Sequence, residues 1–261
     1  MFRRLSRWAT IPVALTLAAG LAGCGAGDPA TSSGGPSGGG TTTLTVFAAA
    51  SLTGTFTELG RTFEAAHPGT TVRFNFGSSA TLAQQIVEGA PADVFAAASP
   101  ATMKTVTDAS LAGTPVTFVR NVLQIAVPAD NPAKVDGLSD LADPKVKVAL
   151  CAEQVPCGAA AVKALDAAGL KVTPVTLEQD VKATLAKVSL GEVDAALVYR
   201  TDVISSGGKV SGIAFPEAEK AINDYPIATL SKAPEAARRF VDLVLSQQGK
   251  DVLTKAGFQA P

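Results

Sequence analysis

The chain has 261 residues, 47% of them hydrophobic but only 5% aromatic, and 22 basic residues against 23 acidic ones give a net charge of −1. A mildly acidic chain without a basic cluster is a poor partner for nucleic acid. One histidine and three cysteines leave no ligand cluster for zinc and no second histidine for the usual nucleophile–base pair, so no catalytic residue is assigned.

In chain order, Arg3, Arg4 and Arg7 precede an apolar run over residues 9–21 and then Ala22-Gly23-Cys24. A basic start, a short apolar stretch and small residues at the cut describe a secretory signal over residues 1–23, too short for a comfortable membrane span. Leu21-Ala22-Gly23-Cys24 resembles the lipobox of bacterial lipoproteins. That resemblance implies lipid on Cys24, a new N-terminus there and an extracytoplasmic protein anchored to the cell membrane. Residues 24–43 form the lipidated cysteine and a flexible tether, since Gly, Ser, Thr and Pro without apolar periodicity cannot bury a core.

From residue 44 onward, strand and helix signals alternate. Residues 44–47 read as a strand. Leu52, Phe56, Leu59 and Phe63 then share a helical face that stops before His67-Pro68-Gly69. Strands follow at 72–76 and 93–97, separated by a helix marked by Leu82, Ile86 and Val87, and residues 100–111 read as a third helix. Extended segments at 116–118 and 122–127 lead into turn material at 128–140. The pattern continues with a strand at 146–150, a helix at 158–168 closed by Gly169, a helix at 178–189, and strands at 194–199 and 209–215. Residues 225–230 are extended, and helices at 234–246 and 248–255 end the chain, with Phe240, Val241, Val244 and Leu245 on the buried stripe. Such alternation predicts an α/β fold with mixed, mainly parallel sheets, and the number of strands favours two lobes with a ligand cleft between them.

Ser51 and Ser79 stand where a strand gives way to a helix. A serine there is expected to cap the helix and leave the first backbone N–H groups facing outward, a ready site for an anion. Val155-Pro156-Cys157-Gly158 introduces another helix, with proline in the tolerated first turn. Glu178-Gln179-Asp180-Val181 reads as a further helix start with acids in its first turn. In open α/β sheets ligands collect at the carboxyl ends of strands, where these starts fall. His67 reads as an exposed loop residue or a helix C-cap. Cys151 and Cys157 leave three states open: a structural disulfide, which an oxidising compartment favours, two free thiols, or a redox pair whose spacing is not Cys-x-x-Cys.

Taken together, several segments resemble the periplasmic molybdate-binding proteins of ABC transporters, over nearly all of residues 43–258. They are Val46-Phe47-Ala48-Ala49-Ala50-Ser51-Leu52, residues 77–86, residues 89–95, Val155-Pro156-Cys157-Gly158, Asp180-Val181-Lys182, residues 196–202 and Tyr225-Pro226-Ile227. The resemblance implies the two-lobed type II periplasmic-binding-protein fold, with lobe I at residues 44–121 plus 223–261 and lobe II at 122–222. It implies oxyanion binding by the hydroxyls of Ser51, Ser79 and Tyr199 and by main-chain donors at Cys157 and Val181. The ligand would be molybdate or tungstate, held through its oxygens with no direct protein–metal bond and no cofactor. The partners would be an ABC permease and its cytosolic ATPase, and the protein a monomer. A disulfide from Cys151 to Cys157 would stiffen one lip of that site.

A pocket made only of donors suits a dianion that has no proton to give. Phosphate near neutral pH usually carries one, and the mismatch costs about 1–3 kcal/mol. Sulfate is equally bare, so a sulfate or other oxyanion receptor of the same fold is the alternative within the class. An exported thiol–disulfide protein using Cys151 and Cys157 is the alternative outside it.

Overall fold

The computed structural model describes residues 41–261. The expectations for the signal segment, for lipid on Cys24 and for residues 25–40 of the tether lie outside the described residues. The chain begins with β1 (Thr42–Ala49), a 3-10 turn at Ala50–Leu52, α1 (Thr53–Ala66), β2 (Thr70–Gly77), α2 (Ser79–Val87), β3 (Val94–Ala96), α3 (Pro100–Asp108) and β4 (Val116–Asn121). After Val122 come β5 (Leu123–Pro128), a 3-10 turn at Leu138–Ala142, β6 (Val148–Cys151), α4 (Pro156–Ala168) and β7 (Thr176–Glu178). Next are α5 (Val181–Ser189), β8 (Ala195–Tyr199), α6 (Arg200–Ser205) and β9 (Val210–Ile213). A 3-10 turn at Pro216–Ala221 leads to β10 (Asn223–Thr229), α7 (Glu235–Leu245) and α8 (Gln247–Lys255).

The strands form two five-stranded sheets, β2-β1-β3-β10-β4 and β7-β6-β8-β5-β9. In the first, β1 is parallel to β2 and β3, while β10 is antiparallel to β3 and β4. In the second, β6 is parallel to β7 and β8, while β5 is antiparallel to β8 and β9. Each sheet therefore has one reversed strand, and in each it is the strand that follows a crossing from the other sheet. The physical reason is direction of entry. Strands β1, β2, β6 and β7 end at the cleft, so a chain arriving across the cleft starts there and runs the opposite way.

Three apolar clusters support the sheets: one for the second sheet and one on each face of the first, where Phe47, Phe95 and Met103 belong to the smaller of the two. Phe56 sits at the centre of the larger, its ring centroid 5.9 Å from Phe240, 6.0 Å from Phe118 and 6.4 Å from Phe74. Phe56, Leu59 and Phe63 are the buried face of α1, as their spacing predicts. The cluster of the second sheet consists mainly of Ala, Val, Leu and Ile from β5, β6, β8, α4 and α5. Helix α4 ends on Gly169 at φ 64, the left-handed C-cap that glycine adopts without cost.

The structure departs from the sequence reading at several elements. Residue 178 does not begin a helix: Thr176–Glu178 is a strand paired with Ala149, Leu150 and Cys151. Asp180 is the true N-cap of α5, its Oδ1 accepting from Lys182 N at 2.8 Å and Ala183 N at 2.9 Å. A three-residue edge strand has no room to show periodicity, and its flanking acids look like first-turn residues. At the amino end, β1 starts inside the segment read as tether, with Thr42 N donating to Gly69 O at 2.8 Å. Backbone pairing holds those threonines without an apolar side chain. Finally, α7 buries Ala237, Phe240 and Val244, whereas Val241 and Leu245 are only partly covered.

Candidate functional site

The five residues singled out for oxyanion contact, Ser51, Ser79, Cys157, Val181 and Tyr199, all line one cavity. They come from five different strand ends: Ser51 follows β1, Ser79 follows β2, Cys157 follows β6, Val181 follows β7, and Tyr199 closes β8. The cavity lies between the two sheets, with Ala98, after β3, completing the wall. Its volume is about 20 Å3 to the centre of a water-sized sphere, so its walls stand on the order of 3 Å from the middle. That is room for one compact ion.

Neither serine caps its helix, contrary to expectation. The 3-10 turn and α1 have no side-chain cap, and neither does α2, whose N-cap is Ser78. The hydroxyls are engaged elsewhere. Ser79 Oγ accepts from Ala98 N at 2.9 Å. Ser51 Oγ pairs with the Tyr225 hydroxyl at 2.9 Å. Tyr199 Oη accepts from Asn223 Nδ2 at 2.7 Å. The N–H groups of Cys157 and Val181 lie in the first turns of α4 and α5, where no intrahelical acceptor exists. Three hydroxyl-bearing residues and two helix starts thus border one small volume.

Charge near the cavity is acidic rather than basic, with Asp180 in the lining and the Asp202–Lys182 pair close by. Asp202 is fully buried and accepts from Tyr199 N at 3.3 Å, while Lys182 Nζ lies 2.9 Å from its other oxygen. Burial pushes the Asp202 carboxyl up and the ammonium of Lys182 draws it back. Burial also raises the phenol of Tyr199, with smaller effects from Tyr225 and Asp202, and burial chiefly raises that of Tyr225. Both phenols therefore keep their protons through the neutral range. Among the described residues no group of three or more His, Cys, Asp or Glu could hold a metal ion. His67 is the C-cap of α1, its Nδ1 2.9 Å from Phe63 O and its ring stacked on Phe63.

Cys151 and Cys157 are joined as a disulfide with Cα atoms 5.7 Å apart. Both are buried, at 2% and 3% exposure, which keeps them from an attacking thiolate. The bond ties the end of β6 to the first turn of α4. Gly158 makes that approach possible, since a Cβ there would stand 1.9 Å from the Ala152 carbonyl oxygen.

Residues 44–259 match the family model of the bacterial extracellular solute-binding proteins. The chain belongs to that family. Over 261 aligned residues, 98% of this chain and 100% of the relative, it is 42% identical to the molybdate-binding protein ModA of Mycobacterium tuberculosis. Among solved structures, the periplasmic molybdate-binding protein of Azotobacter vinelandii aligns with a TM-score of 0.72 at 22% identity, covering 84% of this chain and 99% of that one. The sulfate-binding protein SubI of Mycobacterium tuberculosis aligns with a TM-score of 0.73 at 19% identity, covering 84% and 87%. At those identities both likenesses show the fold alone, a mixed α/β architecture with two sheets.

In this solute-binding protein, residues without an assigned role stand directly behind the cavity wall. Asn223 and Tyr225 on β10 and Asn121 at the end of β4 are buried and bonded to the lining groups or to one another. Ser78 lines the cavity itself at 6% exposure, and its Oγ has no hydrogen-bond partner among the described residues. Polar residues on apolar strands were the available signal, but their partners lie up to 174 positions away in the chain.

Proposed function

We propose that this solute-binding protein captures molybdate, and tungstate as its near-isostere, outside the cytoplasm and delivers it to an ABC importer. The observation that carries the reading is the convergence of Ser51, Ser79, Cys157, Val181 and Tyr199 on one ion-sized cavity. The 42% identity to a relative named as molybdate-binding supports the choice of ion. The ion is cargo and not a cofactor, and the contacts are to its oxygens.

In this reading residues 44–121 with 223–261 act as lobe I and residues 122–222 as lobe II, and the two crossings between the sheets serve as the hinge. Lipid on Cys24 with the tether behind it would hold a monomeric receptor near its permease. Helix starts and charge-assisted hydrogen bonds supply the attraction, so no basic side chain is needed inside.

Titration calorimetry of the folded body against molybdate, tungstate, sulfate and phosphate tests the proposal. The expected result is tight binding of the first two and weak or absent heat with the others. Heat with sulfate and none with molybdate overturns the choice of ion. In the same assay Ser79→Ala loses one donor and weakens molybdate binding by about tenfold or more; unchanged affinity removes Ser79 from the site.

A further inference from the structure

The second layer of the cavity decides which way each hydroxyl proton points. Ala98 is the anchor. Its N–H donates to Ser79 Oγ at 2.9 Å, so the Ser79 proton has to leave in another direction. The Ala98 carbonyl can only accept, and it takes a hydrogen bond from Asn223 Nδ2 at 2.7 Å. That fixes the orientation of the Asn223 amide, because a flipped amide would set two acceptors face to face. The second hydrogen of the same nitrogen then goes to Tyr199 Oη at 2.7 Å. Tyr199 is thereby an acceptor toward Asn223, and its own proton is free for a second partner.

Ser51 is set in the same manner from the other side. Val122 N donates to Asn121 Oδ1 at 3.1 Å, which turns Asn121 Nδ2 toward Thr201 Oγ1 at 2.8 Å and the Tyr225 hydroxyl at 3.4 Å. Tyr225 receives that hydrogen bond, and its hydroxyl pairs with Ser51 Oγ at 2.9 Å in a contact where either oxygen can donate. With Tyr225 as the donor of that pair, the Ser51 proton is left for the cavity. Tyr225 is completely buried and not part of the lining, and its hydroxyl faces Ser51, Asn121 and Tyr199. Burial keeps its phenol protonated, and the donor is always present.

We propose that Tyr225 and Asn223 are positioning residues that lock Ser51 and Tyr199 as donors, so that the cavity rejects any oxyanion carrying a proton. The inference rests on the oxyanion reading above and deepens it. It assigns selectivity to a layer that never touches the ligand. Asn223 also joins the two sheets, since it stands at the start of β10 while Tyr199 ends β8.

The test is a selectivity ratio. Molybdate and inorganic phosphate are titrated at pH 7, separately and in competition, against the wild-type body and Tyr225→Phe. Loss of the Tyr225 hydroxyl frees Ser51 to turn and accept, so the preference for molybdate over phosphate should fall by about tenfold or more. A purely structural role for Tyr225 weakens both ions alike and leaves the ratio unchanged, which overturns the proposal. Asn223→Ser, which shortens the amide away from Tyr199, should move the ratio in the same direction and replaces Tyr225→Phe should that variant not fold. If the wild type takes sulfate in place of molybdate, the function proposed above falls while the sulfate-to-phosphate ratio still tests the relay. Failure of the wild type to bind any oxyanion ends both.

Discussion

Ser78 and Ser79 are neighbours with opposite circumstances. Ser79 Oγ receives a backbone hydrogen bond, whereas Ser78 Oγ, buried at the N-cap of α2, receives none. A buried hydroxyl without a partner costs about 1–3 kcal/mol in desolvation, and an N-cap serine normally avoids that cost by bonding its own helix. Here the cap bond is absent, so Ser78→Ala should leave the unfolding free energy equal or raise it by about 1 kcal/mol. The same substitution should weaken molybdate binding if the hydroxyl is kept for the ion. Urea denaturation and calorimetry on one preparation separate the two effects. Lost stability with intact affinity would assign Ser78 to the fold instead. At this scale the junction serines Ser51 and Ser79, which line the cavity, stood out in the chain, while the direction of each O–H did not, because it depends on partners from other strands.

Elements with long apolar stripes were readable, and short or edge elements were not. Helix α1 shows its face through Phe56, Leu59 and Phe63, and α4 announces its end with Gly169. Strand β7 has three residues, with Leu177 more than half exposed, and offers no period to detect. Helix α4 also carries the contact most sensitive to volume. Gly158→Ala would place a methyl carbon 1.9 Å from Ala152 O and 2.7 Å from Cys151 O. These are backbone atoms pinned by β6 and the disulfide, so relief must come from displacing the helix start. We expect a loss of about 1–3 kcal/mol in urea denaturation and a parallel loss of affinity as the Cys157 N–H moves off line. Wild-type stability and affinity in this variant would show that the close approach constrains nothing.

On the scale of the whole molecule, the cavity is built half by each sheet, and an ion held there joins the separately packed interiors of the two sheets. Binding must therefore stabilise the fold by mass action. Molybdate at about one hundred times its Kd should add about 2.7 kcal/mol and raise the melting temperature by about 5–10 °C, increasing further with concentration. Phosphate at the same concentration should leave it unmoved. Scanning calorimetry at several molybdate concentrations checks this, and a melting temperature indifferent to molybdate contradicts the placement of the ion between the sheets.

The sequence by itself determined the alternation of strands and helices, the strand-to-helix junctions at Ser51 and Ser79, and the Val155–Gly158 helix start, while it opened α5 three residues early, at Glu178. Those features are local, set by apolar period, capping chemistry and the stiffness of proline and glycine. Tertiary structure alone decided that β10 and β5 run backwards and that Cys151 meets Cys157. It also decided that Ala98, Asn223 and Tyr225 stand behind the wall and orient hydroxyls they are remote from in the chain. A hydrogen bond between residues 125 positions apart leaves no period in either segment. Its partners exist only once both sheets have folded and faced each other.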